Sequence, residues 1–64
     1  MKVSELLRYL KKNGCVFKRN GSEHEIWINP KTGGEAQIPR HRAKELKTGT
    51  AKRILRDLGL DGKG

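Results

Sequence analysis

His24 lies in the run Gly21-Ser22-Glu23-His24-Glu25-Ile26-Trp27, with basic residues on both sides. Histidine can take and give a proton near neutral pH. Lys18 and Arg19 precede the run, and Pro39-Arg40-His41-Arg42-Ala43-Lys44 is the densest basic stretch of the chain. Arg40, Arg42 and Lys44 suit phosphate oxygens, because arginine can grip them with a forked pair of N–H groups. Ser22 and His41 stand nearby in sequence as possible supporting groups, His41 as a second acid or base. Trp27 has the side chain to stack a base, worth about 1–3 kcal/mol in single-strand binders. Each of these also has a plainer reading: a rim histidine on a backbone carbonyl, a solvated charged loop, a tryptophan packed across strands.

The overall charge favours a polyanion or an acidic protein as partner. Lys and Arg number 15 against 7 Asp and Glu, for a net charge of +8 over 64 residues, and such a balance draws phosphate-bearing ligands. A chain of this length has room for one small core, since domains near this size bury only about 60% of their unfolded surface. Chemistry is therefore expected on an open surface or groove. The single cysteine, Cys15, has no internal partner and fits a reducing cytoplasm; its reading is a small packed residue. No Cys-x-x-Cys pattern or Cys/His cluster suggests zinc. No metal and no cofactor are expected. No apolar run is long enough for a bilayer, so no membrane partner is expected either.

Two amphipathic helices and a meander are predicted to position these groups. Val3, Leu6, Leu7 and Leu10 form one helical stripe, with Ser4 as its cap and Gly14 as its stop. Ala51, Ile54, Leu55 and Leu58 repeat the spacing, with Thr48-Gly49-Thr50 at the start as cap or anion site, Gly59 as the stop and Leu60 folding back. Between them, Cys15 to Arg19, His24 to Asn29 and Glu35 to Ile38 read as strands. Asn20-Gly21 is a two-residue hairpin signal, and Asn29 to Gly34 a loop. Ala43 to Leu46 has room for one helical turn. The expected fold is α+β, in the order α-β-β-β-α, with a three-stranded antiparallel sheet and both helices on one face. This is the order of the double-stranded-RNA-binding domain, a likeness of fold alone. One domain over 1–60 is expected, with 61–64 as a frayed tail. Strand parity is read with His24, Ile26 and Ile28 toward the helices and Glu25, Trp27 and Asn29 toward solvent. The core is expected to comprise Leu6, Leu7, Leu10, Ile26, Ile28, Ile38, Ile54, Leu55 and Leu58.

Several of these runs, in this order, resemble the HicA family. They are Gly21-Ser22-Glu23-His24, Glu25-Ile26-Trp27, Asn29-Pro30, Ile38-Pro39-Arg40-His41, Glu45-Leu46 and Gly49-Thr50-Ala51-Lys52-Arg53-Ile54-Leu55. The resemblance spans Leu6 to Leu60. It departs from the usual pattern at one point: many members read Gly-Ser-His directly, and here Glu23 intervenes. HicA proteins are the toxins of HicAB toxin–antitoxin pairs. The resemblance implies a double-stranded-RNA-binding-like fold, a translation-blocking mRNA endonuclease (an mRNA interferase), one essential histidine falling on His24, and a HicB antitoxin that masks it. His41 also falls on a recurrent family position. The expected substrate is single-stranded RNA or mRNA, cut without metal, with His24 as base or acid and Lys18, Arg19, Trp27, Arg40, Arg42 and Lys44 as RNA-binding groups. The rivals are a non-catalytic RNA-binding module of the same fold and an interaction domain for an acidic protein.

Overall fold

The computed structural model describes residues 1–60, and the expected tail at 61–64 lies outside the described residues. Helix α1 (Val3–Lys12), strands β1 (Val16–Asn20), β2 (His24–Asn29) and β3 (Gly34–Pro39), and helix α2 (Thr48–Asp57) follow in that order. The strands form one antiparallel sheet in the order β1-β2-β3.

The α1 stripe is buried as its spacing predicts: Val3, Leu6, Leu7 and Leu10 all face the core. Ser4 does not cap it. The cap position falls on Lys2, two residues earlier, and the free N–H groups of the first turn are met from outside. Val3 N–H donates to the Lys44 carbonyl at 2.9 Å and Ser4 N–H to the Arg42 carbonyl at 3.0 Å; Glu5 Oε1 accepts from Lys2 N–H at 2.7 Å. Residues 40–47 thus form a strap across the start of α1, with Lys2 and Glu45 as an isolated bridge. Pairing to α1 replaces the helical turn expected at Ala43–Leu46. Gly14 ends α1 with φ +87, a conformation glycine takes without steric cost. Gly59 (φ +73) ends α2. There Leu60 N–H donates to the Leu55 carbonyl and Gly59 N–H to the Arg56 carbonyl, and Leu60 folds back on the core.

Strand parity is the opposite of the sequence reading. Trp27 is 4% exposed and belongs to the cluster that joins α1, Ile38, Ile54 and Leu58. Its cross-strand partner is Ala36, and Glu25 pairs with Ile38. Glu25, Trp27 and Asn29 therefore lie on the helix side, and His24, Ile26 and Ile28 on the other. The small side chain of Ala36 leaves room for the indole, the largest apolar side chain in the chain, and burying it outweighs burying either isoleucine. Ile26 is still buried on its own face; Ile28 and Leu55 are half-buried, the latter packed against the core. The remaining expected core residues are buried. Asn29 is the buried polar residue of this face: its Nδ2 donates to the Leu58 carbonyl at 2.7 Å and its Oδ1 accepts from Lys31 N–H at 3.0 Å. This ties the β2–β3 loop to the end of α2.

Candidate functional site

The β1–β2 hairpin presents His24. Asn20 ends β1 paired with Glu25, and Gly21 N–H donates to the His24 carbonyl at 2.6 Å. The turn itself is Ser22-Glu23, two residues beyond the Asn-Gly pair that marks it in sequence. Gly21 does not need a positive φ. Its use is close approach: a Cβ there would lie 3.1 Å from the His24 carbonyl oxygen. His24 opens β2 opposite Pro39, partly exposed, on the open face of the sheet.

Arg40 pins this turn. Its Nη2 donates to the Gly21 carbonyl at 2.5 Å, its Nη1 to the Ser22 carbonyl at 3.4 Å and its Nε to Asn20 Oδ1 at 3.4 Å. Arg40, Ser22 and His24 are therefore brought together, and a phosphate at Arg40 would compete with the turn for its donors. Arg19 joins the same face through a bulge. Lys18 is the extra residue, so Arg19 pairs with Ile26; in an unbulged ladder it would oppose Glu25 on the helix side. Beside Ile26 a groove of about 440 Å³ is lined by Arg19, Glu35, Ala36 and Gln37 of the sheet and by Arg53, Ile54 and Asp57 of α2.

The other sequence candidates lie elsewhere. Lys18 is ion-paired with Glu35. Arg42 Nη2 bridges the two Glu25 oxygens at 3.4 and 3.2 Å, and Nη1 donates to the Arg40 carbonyl at 3.2 Å. Trp27 Nε1 donates to Glu25 Oε1 at 3.0 Å. Burial alone would push the Glu25 carboxyl up; the bonds from Trp27 and Arg42, with the charges of Arg42 and Arg40, outweigh it and hold the group below its ordinary value. The burial of Trp27 corrects its expected place as an open-face stacking platform: its ring is part of the core. His41 and Lys44 are exposed on the strap, where the His41 carbonyl accepts from Lys44 N–H. Thr48 and Thr50 open α2 without a side-chain cap bond. Burial pushes the Cys15 thiol up, as suits a packed residue.

Sequence reasoning passed over two cations on α1. Arg8 and Lys11 lie off the apolar stripe, and with Ser4, Leu7 and Arg42 they line a second groove of about 270 Å³. Lys11 Nζ sits 6.0 Å from the centre of the Trp27 ring. The missing signal was the strap, which brings Arg42 alongside α1 through pairing that has no periodicity in sequence.

A three-stranded meander with both helices on one face is the double-stranded-RNA-binding-domain-like class of α+β fold, here with a histidine at the hairpin mouth and a basic strap. The model for the HicA toxin of bacterial toxin–antitoxin systems matches residues 3–60, and the chain belongs to that family. It is 35% identical over 60 residues to a probable mRNA interferase HicA 2 of Photorhabdus laumondii, covering 94% of this chain and 98% of that protein. It is 39% identical over 61 residues to a probable mRNA interferase HicA of Pseudomonas fluorescens, covering 94% and 97%. Among solved structures it is similar to a chain in the crystal structure of the E. coli HicAB toxin–antitoxin complex. That match has a TM-score of 0.79 and 37% identity, over 92% of this chain and 98% of the other. No helix among the described residues is long and apolar enough to cross a membrane.

Proposed function

We propose that this protein is an mRNA endoribonuclease of the cytoplasm, the toxin of a HicAB-type pair, in which His24 moves the proton. RNA supplies its own nucleophile. Removal of the 2′-hydroxyl proton lets that oxygen attack the adjacent phosphorus. The P–O5′ bond then breaks and the leaving oxygen takes up a proton, giving a 2′,3′-cyclic phosphate and a 5′-hydroxyl. His24 serves as the base of the first step or the acid of the last, help worth about 10²–10⁴-fold. Nearby guanidinium groups stabilise charge on the phosphoryl oxygens. No step of this sequence calls for a metal.

The observation that carries the reading is the placement of His24: partly exposed, at the strand's first position, on a turn held by three Arg40 donors. A histidine serving only as packing would not need so fixed a mouth. Its exposure also suits silencing by occupancy. An acidic HicB-like antitoxin covering His24 would exclude RNA, and complementary charge on a chain of +8 would speed the encounter.

The test is His24→Ala. Cleavage of a single-stranded oligoribonucleotide should fall by about 10²-fold or more, with RNA binding and the circular dichroism spectrum retained and with growth arrest on expression lost. Full cleavage by the variant would leave a binding module of the same fold, and complete inhibition of the wild type by a chelator would remove the metal-free route.

A further inference from the structure

The groove between α1 and the strap has no part in the hairpin site, yet three of its five lining residues are cations and none is acidic. Arg8 and Lys11 project into it from α1, and Arg42 from the strap, with Ser4 and Leu7 between them. Arg42 is the cation there with a carboxylate partner, Glu25. Among the described residues neither Arg8 nor Lys11 takes part in an ion pair.

An exposed aromatic ring is linked to Lys11 of this groove through Trp27. Phe17 is 47% exposed and meets the Trp27 ring edge-on at 6.2 Å between centres. The same indole lies under Lys11. Phe17 and Lys11 therefore share Trp27 as a neighbour. A phenyl ring left half in water costs apolar exposure that burial would have recovered. A row of cations beside an exposed aromatic is the pattern that holds a single nucleic-acid strand, with phosphates on the cations and a base on the ring.

The groove also points toward His24. Arg42 grips Glu25, the residue after His24, and Lys11 overlies Trp27. Those two positions are about 7 Å apart along β2, from two strand steps of about 3.4 Å. The Arg42 end therefore adjoins Arg40 and the turn that carries His24.

From these observations we infer that the α1–strap groove is the docking track for the RNA strand, with Arg8 and Lys11 on its phosphates and Phe17 as the base platform in place of the buried Trp27. The strand then reaches His24 around the end of β2. This inference rests on the ribonuclease reading, but its test does not depend on cleavage.

Binding of a single-stranded oligoribonucleotide is measured by fluorescence anisotropy at several salt concentrations, in a His24→Ala background so that the RNA survives. The Arg8→Ala/Lys11→Ala double variant should lower the slope of log K against log salt by roughly 1.4, two single-strand phosphate contacts at about 0.7 each. Phe17→Ala should weaken binding on the order of 10-fold with the slope unchanged. Lys31→Ala/Lys52→Ala, which removes the same charge from exposed positions outside the groove, should leave the slope unaltered. Arg42 is kept, because its loss would also strand Glu25. An equal slope change in the two double variants, or none in either, would overturn the assignment. So would groove variants that keep RNA affinity and lose only a protein antitoxin, since the surface would then be a partner's seat. A wild-type protein that binds RNA through these residues and never cuts it would sink the ribonuclease reading and leave the groove standing.

Discussion

The two faces of β2 alternate residue by residue and do different work. Glu25, Trp27 and Asn29 face the helices, and each is held by named partners: Arg42 and Trp27 for Glu25, the core for Trp27, Leu58 and Lys31 for Asn29. His24, Ile26 and Ile28 face the other way, and only Ile26 is buried. One face is consumed by stability, and the other leaves a histidine accessible at its end. A strand anchored on one side can hold the proposed proton-transfer group still on the other, without the deep pocket that a chain of 64 residues has little room to enclose.

The sharpest way to break this comparison is to truncate one side chain on each face. Trp27→Ala should cost about 3–5 kcal/mol of unfolding free energy, as for large aromatic truncations in cores, a serious loss for a domain of this size. His24→Ala should stay within about 0.5 kcal/mol of the parent, as surface changes do. Urea denaturation followed by circular dichroism measures both. Similar losses at the two positions would mean that the faces are not divided as described.

That division was only partly legible in the sequence. The helices were, because Leu6, Leu7 and Leu10, and Ile54 and Leu58, repeat on one stripe and Gly14 and Gly59 mark the ends in a conformation other residues avoid. The identity of β2 was legible; its orientation was not. Ile26-Trp27-Ile28 is apolar without interruption, so either parity buries something large. The deciding signal lay in β3, where Glu35, Ala36, Gln37 and Ile38 alternate cleanly. Their register with β2 places Trp27 with Ala36 on the inner face. His24 could be picked out because histidines are few and its turn is marked by glycine. Arg8 and Lys11 could not, since the strap that makes a groove of them is held by backbone bonds between residues 42–46 and the start of the chain. Such pairing follows from no local pattern.

A medium-sized effect should come from Asn29, the polar member of the inner face. Its amide gives the Leu58 carbonyl its shorter hydrogen bond at the end of α2 and orders the loop through Lys31. Asn29→Ala leaves that carbonyl only the longer bond from Thr32 Oγ1 at 3.4 Å, at a cost of about 1–3 kcal/mol. Amide hydrogen exchange should show the loss concentrated in the last turn of α2 and the β2–β3 loop. Exchange that speeds up uniformly across the sheet would assign Asn29 to global packing instead.

The smallest effect, and the one that tests the inner face by charge, belongs to Glu25. Burial raises its pKa, but the Trp27 and Arg42 bonds and the nearby arginine charges lower it further, so the net shift is downward. A carboxyl depressed in the folded state binds fewer protons there than when unfolded. Its contribution is therefore complete above the ordinary value of 4.5 and is lost as pH falls through the lower folded value. Glu45 is also held low, so acid destabilisation of the parent alone does not isolate Glu25. The difference between parent and Glu25→Gln does. Glutamine can still accept from Trp27 Nε1 through its carbonyl, but it gives Arg42 no charge. With Arg42 half-exposed, the gap at pH 6 should be about 1 kcal/mol, and it should narrow as the pH falls below the ordinary value of 4.5. A gap that holds constant over that range would mean that the carboxylate's charge is not what ties the strap to β2. The shape of the side chain alone would then carry the contact.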